Sequence, residues 1–371
     1  MKLFRPKKIY VEAAARDYPH TEKILSALPG VPVEEVEDRG KLLAGLRKNQ
    51  DPIGEGKRSL LLARDQGRSF KPFPESRDYL SCDYFTLHVA EGCDLECSYC
   101  ILQAYLTNPL LTVFVNLEEM LGNLQKTLLE NRHRFWRIGT GQLADSLSLD
   151  PLTAFSETLV PFFAGQDNAV LELKTKSDHI ERLLKMKSAG RTIVSWSLNP
   201  DRIQREEEHK CASIDERLAA AKKILEETDY RIGFHLDPII DTPGWERDYE
   251  GLLEKIFSRI DAERIVWMSL GCLRFMPRLK GIMQRRFPNS KLPLAEWGVG
   301  MDGKFRYLKS RRVEIYKRMI EMIRRRTRAM TLYLSMESPE VWRLVLGKDH
   351  TPSSVCELLD QAGKNLKLAA F

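Results

Sequence analysis

From Tyr84 onward the chain alternates short β-branched and aromatic runs with amphipathic stretches, and this rhythm limits the possible folds more than any other feature. Candidate strands cover 84–90, 135–139, 170–175, 192–198, 230–236 and 264–270, with helices expected near 117–130, 152–164, 178–188, 214–227 and 247–258. Strands separated by helices predict parallel βα units, whose chemistry gathers at the carboxyl ends of the strands. The polar residues follow that rule. A cysteine-rich loop follows the first strand, Asp145 lies beyond the second and Lys176 follows the third, while Ser197 ends the fourth, Asp237 follows the fifth and Cys272 follows the sixth. They are expected to converge on one rim of an α/β fold, an open partial (β/α)6 barrel of the TIM type rather than a closed eight-stranded one.

The cysteine loop reads Glu91-Gly-Cys-Asp-Leu-Glu-Cys-Ser-Tyr-Cys100, a C-x3-C-x2-C trio formed by Cys93, Cys97 and Cys100. An iron–sulfur cube usually takes four thiolates, so three leave one iron open to another ligand. The competing reading is a zinc site completed by Cys82 or His88, since C-x2-C is common zinc spacing. No second C-x2-C or histidine pair occurs elsewhere in the chain.

The chain has 371 residues, enough for one large α/β domain with attachments. Residues 1–80 read as an N-terminal extension with one strand at 8–12, residues 81–275 as the barrel and residues 276–371 as a basic carboxyl-terminal segment. The other four cysteines, Cys82, Cys211, Cys272 and Cys356, are scattered, which suits reduced thiols in a cytoplasm. The N-terminus lacks the apolar core of a signal peptide, and no stretch has the length of a membrane span, so a cytoplasmic protein without a membrane partner is expected. The net charge is +6, yet 304–328 alone carries +9, with eleven Lys or Arg against two Glu. Such a segment suits a polyanion, but Val313, Tyr316, Met319, Ile320 and Ile323 fall at helical spacing, so the charges equally suit the wet face of a helix.

The cysteine trio with an aromatic residue before its last member resembles the radical S-adenosylmethionine enzymes. Several stretches extend the resemblance to the spore photoproduct lyase family: Cys97-Ser-Tyr-Cys-Ile-Leu-Gln103, Val113-Phe-Val-Asn-Leu-Glu-Glu-Met120, Lys174-Thr-Lys-Ser-Asp-His-Ile180, Ser197-Leu-Asn199, Gly244-Trp245, Lys291-Leu292 and Trp297-Gly298. The resemblance implies a radical-enzyme partial barrel with an N-terminal α/β extension and a carboxyl-terminal hairpin and helix segment. It also implies a [4Fe-4S] cluster on Cys93, Cys97 and Cys100, and S-adenosyl-L-methionine as cofactor. Tyr99 resembles the residue whose backbone meets the adenine, Asp145 lies where the family places cofactor contacts, and Lys176 and Ser197 resemble the residues holding the methionine carboxylate and its neighbours. By themselves, Lys176 reads as a helix-entry charge and Ser197 as a turn cap. The implied activity is a lyase acting on a damaged pyrimidine in DNA, in a monomer served by a flavodoxin or ferredoxin.

Two residues depart from the family pattern. The hydrogen-donating cysteine of the loop after the second strand is Gln142 here, and the tyrosine after the third cluster cysteine is Ile101. Neither offers a carbon radical a ready hydrogen atom. Cys272, in Leu270-Gly-Cys-Leu-Arg-Phe275, is the thiol that the strand order offers as a substitute, although by itself it reads more readily as a small, inert core residue. Where the family carries a DNA-entering hairpin, the chain has Trp297-Gly-Val-Gly-Met-Asp-Gly-Lys-Phe-Arg-Tyr307, with a tight turn expected at Met301-Asp-Gly303. Lys304, Phe305, Arg306 and Tyr307 are the candidate nucleic-acid contacts. Radical modification of a protein or small molecule, or a non-catalytic nucleic-acid-binding protein with a structural metal, remain the alternatives.

Overall fold

The computed structural model describes residues 1–74, 78–80 and 83–364; Cys82, one of the candidate zinc ligands, lies outside the described residues. The six expected strands all form: Phe85–Leu87, Trp136–Gly139, Ala169–Thr175, Thr192–Ser197, Arg231–Ile239 and Ile265–Cys272. They lie side by side in chain order, each parallel to the next, in one curled, open sheet. A seventh parallel strand, Thr331–Leu334, extends one edge, and the antiparallel Phe70–Pro72 closes the other. Sequence reading missed both, because each is short and flanked by charged or turn-forming residues.

Alternation along these strands sorts chemistry by face. Leu171, Leu173, Val194, Trp196, Phe234, Leu236, Met268 and Leu270 are buried apolar residues, as expected of strands covered by helices. The intervening positions, Glu172, Lys174, Ser195, His235, Trp267 and Ser269, form a polar inner face. That face is crowded. A Cβ at Gly233 would stand 2.7 Å from both Ser195 Oγ and Trp267 Nε1, and one at Gly139 would overlap the Tyr84 hydroxyl.

The helices Leu117–Glu130, Ile214–Glu227 and Trp245–Arg259 match expectation, the second opened by a capping box of Ser213 and Glu216. The helix expected over 152–164 is broken at Ala154, whose φ of +52° separates Asp150–Thr153 from Ser156–Ala164. The helix expected over 178–188 is reduced to one tight turn at Leu183–Lys185. Tertiary hydrogen bonds claim this segment: His179 Nδ1 meets the Ser148 carbonyl at 3.2 Å, and Arg182 donates to the Asp150 carbonyl.

A second sheet orders Val33–Val36, Lys8–Glu12, Ser59–Ala63, Leu111–Phe114 and Ala90–Glu91. Its Ser59–Ala63 strand is wholly buried and was hidden in a stretch read as polar. Ala90–Glu91 and Leu111–Phe114 come from beyond residue 80, on either side of the cysteine loop, so this sheet and the barrel share the chain there. The loop is thereby pinned at both ends. Among the described residues no helix is long and apolar enough to cross a membrane.

Candidate active site

Cys97 is buried, and Cys93 and Cys100 are half-buried. Gly92, at φ +85°, turns the chain into the loop. Lys57 reaches beneath it and donates to the Cys93 carbonyl at 2.7 Å and to the Leu95 carbonyl. Gln103 Nε2 donates to the carbonyls of Cys97 and Ser98 at 3.0 and 3.1 Å, and Glu96–Cys97 pairs antiparallel with Glu208–His209. Burial, reinforced at Cys93 by Asp94, pushes the Cys93 and Cys100 thiols up, so their thiolates need a compensating positive charge. Burial alone would lower the Lys57 ammonium, but the Cys93 and Cys100 sulfurs and the Glu96 carboxylate outweigh it and hold it up.

This donor set fits a cluster. Three sulfurs share one loop with the Lys57 cation beneath them, a donor set that would hold such a group. His88, the other candidate zinc ligand, is engaged with Thr86 Oγ1 at 2.9 Å.

Next to the loop, the Glu208 carboxylate is the hub of a buried network. It accepts from Lys176 Nζ at 2.5 Å, Arg217 Nη2 at 2.7 Å, Asn199 Nδ2 at 2.9 Å and the Tyr99 hydroxyl. Burial would raise this carboxyl, but Lys176 and Arg217 hold it well below the usual range. Lys176 Nζ also donates to the Tyr99 hydroxyl at 2.7 Å, and Arg217 Nη1 donates to the Ser197 carbonyl at 2.8 Å. Tyr99, Lys176 and Ser197 are therefore brought together through Glu208 and Arg217, two residues the sequence reading missed. Asp145 organises its own turn, accepting from the Leu147, Ser148 and Lys176 amides and from Thr175 Oγ1.

A cavity of about 520 Å³ runs from Tyr99, Cys100 and Ile101 along the polar inner face to Asp302, Gly303 and Lys304 at the hairpin tip. Gln142 lines it too, so both positions that depart from the family pattern face one chamber. Along its wall, Glu172 Oε1 accepts from Ser195 Oγ at 2.6 Å, His235 Nε2 at 2.9 Å and Trp267 Nε1 at 3.1 Å, and Oε2 accepts from Tyr84 at 2.7 Å. The charge and hydrogen bond of His235, with the hydroxyls of Ser195 and Tyr84, overcome burial and hold the carboxyl at about 2, while burial lowers the His235 imidazole from its ordinary value. Asp237 pairs with Arg274 at 2.9 Å, which likewise overcomes burial and keeps it at about 2. Burial lowers the Lys174 ammonium, which faces the same space. Glu172, His235 and Arg274 escaped the sequence reading, although a charged or polar residue at every second position of an apolar strand was the available signal.

Cys272 is not among the cavity-lining residues. Strand alternation turns it to the outer face, where it is 2 % exposed, its amide donates to the Tyr316 hydroxyl at 2.7 Å, and burial pushes its thiol up. The hairpin forms as expected, with Gly298–Val299 paired to Phe305–Arg306 and Gly303 at φ +72°. Of the four expected nucleic-acid contacts, Arg306 and Tyr307 are buried. Arg306 is 2 % exposed, bound to Asp302 at 2.9 Å and lying over the Tyr79 ring; Tyr307 is buried and stacked on Trp297. Lys304 pairs with Asp302 at 3.1 Å, and Phe305 is half-buried, edge-on to Phe275. The free residues are Val299 and Met301, 70 % and 63 % exposed. The basic segment is largely neutralised: Lys309 pairs with Glu340, Arg311 with Asp241, Arg312 with Glu337 and Arg318 with Glu246. These pairs tie the helix Lys309–Arg324 to carboxylates of other elements.

The family model for spore photoproduct lyase matches residues 4–334. The chain is 27% identical over 318 residues to the spore photoproduct lyase of Bacillus subtilis, covering 82% of this chain and 91% of that protein. It is 27% identical over 344 residues to that of a Geobacillus species, covering 88% and 97%. A solved structure of spore photoproduct lyase complexed with dinucleoside spore photoproduct superposes with a TM-score of 0.79 at 25% identity, covering 90% of this chain and 100% of that one. A mutant spore photoproduct lyase with bound AdoMet and the same dinucleoside has the same fold, with a TM-score of 0.80 at 24% identity and the same coverage. With its cysteine loop and curled sheet, the chain belongs to the spore photoproduct lyase family.

Proposed function

We propose that this protein is a radical S-adenosyl-L-methionine lyase whose Cys93, Cys97 and Cys100 hold a [4Fe-4S] cluster, and that it acts on a damaged pyrimidine in DNA. When bound, cluster and cofactor together supply an electron and a 5′-deoxyadenosyl radical able to abstract hydrogen. The observation that carries the reading is the chamber joining Cys100 to the hairpin tip. Its volume suits a small ligand, and a lesion extruded from the duplex needs such a pocket.

The chain's own residues have separable tasks. Lys57 and Gln103 fix the loop carbonyls and so the directions of the sulfurs. The Glu208 network holds Tyr99, Lys176 and Ser197 in one place beside the loop, as a cofactor site requires. Lys174 and the Asp237–Arg274 pair give the chamber a polar wall for the carbonyl and imide edges of a pyrimidine, and the walls exclude water from a reactive radical. Val299 and Met301 suit an apolar wedge against stacked bases, with Lys304 and Phe305 behind them at the mouth. Cytoplasmic location, a monomeric state and a flavodoxin or ferredoxin as electron donor complete the proposal.

Gln142 and Ile101 distinguish the last step from that of the relatives, since neither returns a hydrogen atom to a product radical. The test incubates anaerobically reconstituted, reduced protein with irradiated DNA and follows both 5′-deoxyadenosine and lesion loss. Formation of both supports the reading. Deoxyadenosine without lesion loss, together with no DNA binding at low salt, would transfer the activity to a protein or small molecule.

A further inference from the structure

A fourth cysteine sits against the cysteine loop. Cys211 Sγ lies 3.6 Å from Cys97 Sγ, although 114 residues separate them in the chain. Three independent restraints put it there. The strand Glu208–His209 pairs with Glu96–Cys97 in the register Glu208 to Cys97 and His209 to Glu96, and the Ser98 amide donates to the Glu207 carbonyl at 2.8 Å. Lys210, at φ +60°, reverses the chain just after this pairing, a conformation that a non-glycine residue adopts only when its surroundings require it. The Ala212 amide then donates to the Lys176 carbonyl at 3.1 Å, and Ser213 opens the following helix with its capping box. Cys211 is clamped on both sides, so the fold itself holds its backbone beside the strand that carries Cys97.

We propose that Cys211 is a positioning thiol of the cluster site, donating an S–H···S hydrogen bond to the Cys97 sulfur and raising the reduction potential of the cluster. This rests on the cluster reading given above. A Cys97 that ligates iron carries no proton, so of the two sulfurs only Cys211 has a hydrogen to share. Its other acceptor within reach, the neutral His209 carbonyl at 3.7 Å, is no closer, and a ligating thiolate is the more strongly charged partner. A hydrogen bond to a ligating sulfur withdraws negative charge from the cluster and so favours the reduced, more negative state. The sites of the other two ligands differ: Cys93 and Cys100 have no thiol neighbour comparable to Cys211 among the described residues. The effect therefore falls on one corner of the cluster.

The experiment uses the reconstituted full-length protein, as wild type, Cys211→Ala and Cys211→Ser. Iron and sulfide are counted first, and the midpoint potential is then followed by EPR-monitored redox titration. The expected result is equal metal content in all three, a more negative potential for Cys211→Ala, and a potential restored by the hydroxyl of Cys211→Ser. Coincident potentials in wild type and Cys211→Ala, with clusters complete, would overturn the hydrogen bond and leave the cluster reading intact. An EPR signal that added S-adenosyl-L-methionine alters only in Cys211→Ala would make Cys211 a fourth ligand and also overturn it. Failure of wild type to assemble any iron–sulfur cluster would sink both readings together.

Discussion

Lys57 Nζ donates to the Cys93 carbonyl at 2.7 Å, placing a buried cation from the turn just before the Ser59–Ala63 strand directly beneath the cysteine loop. Lys57→Met removes both the charge and the two carbonyl contacts. Each buried carbonyl left without a donor costs about 1–3 kcal/mol, and supporting residues of a metal site typically change metal affinity by about 10–100-fold. The variant is expected to assemble its cluster more weakly, by roughly tenfold in iron retention under chelator competition. Unchanged retention would remove Lys57 from the site.

Glu208 is the only carboxylate shared by Lys176 and Arg217 among the described residues, and all three are largely buried. Glu208→Gln leaves two cations under-compensated and is expected to destabilise the protein by about 3–5 kcal/mol, measured by denaturant titration. The pH dependence follows from the depressed carboxyl. Its contribution in the wild type is present above the ordinary value of 4.5 and is lost as the pH falls below that, because the unfolded chain takes up the proton first. Glu208→Gln should flatten this acid limb; an unaltered limb would show that other carboxylates dominate it.

Gln142 and Ile101 line the same chamber, so the proposed hydrogen relay would be rebuilt at these two positions. Gln142→Cys combined with Ile101→Tyr is expected to raise the fraction of spore photoproduct converted cleanly to thymine, read by chromatography of the digested DNA. No gain would indicate a chamber shaped for another lesion.

Two hairpin variants should separate binding from stability. Val299→Ser with Met301→Ser changes exposed residues only and is expected to stay within about 0.5 kcal/mol of wild-type stability while weakening binding to lesion-containing DNA. Arg306→Ala leaves Asp302, which Arg306 and Lys304 hold at about 2 against burial, with Lys304 as its remaining ion-pair partner, and is expected to lower stability by about 3 kcal/mol. Thermal melts and low-salt DNA titrations distinguish the two. Equal DNA affinity of the serine variant and wild type would exclude the apolar wedge.

The barrel was legible because a parallel strand buried under helices announces itself locally, in runs such as Thr192-Ile-Val-Ser-Trp-Ser197. The cysteine loop was legible because its three sulfurs come from one short stretch of chain. The failures concern elements whose state depends on distant partners. The segment near 178–188 has helical periodicity, yet hydrogen bonds to residues 148–151 straighten it. Cys272 was assigned to the rim by strand order, but the two-residue alternation of its strand turns it outward.

Thus the amino-acid sequence alone determined the order of βα units and the three clustered thiols, both of which are encoded in local spacing and residue type. Tertiary structure alone decided which charges are spent, the basic helix on carboxylates of other elements and Lys176 on Glu208, and which thiol meets Cys97, namely Cys211. The physical reason is that an ion pair or hydrogen bond forms between neighbours in space. Nothing in the spacing along the chain records that one residue will meet another more than a hundred positions away.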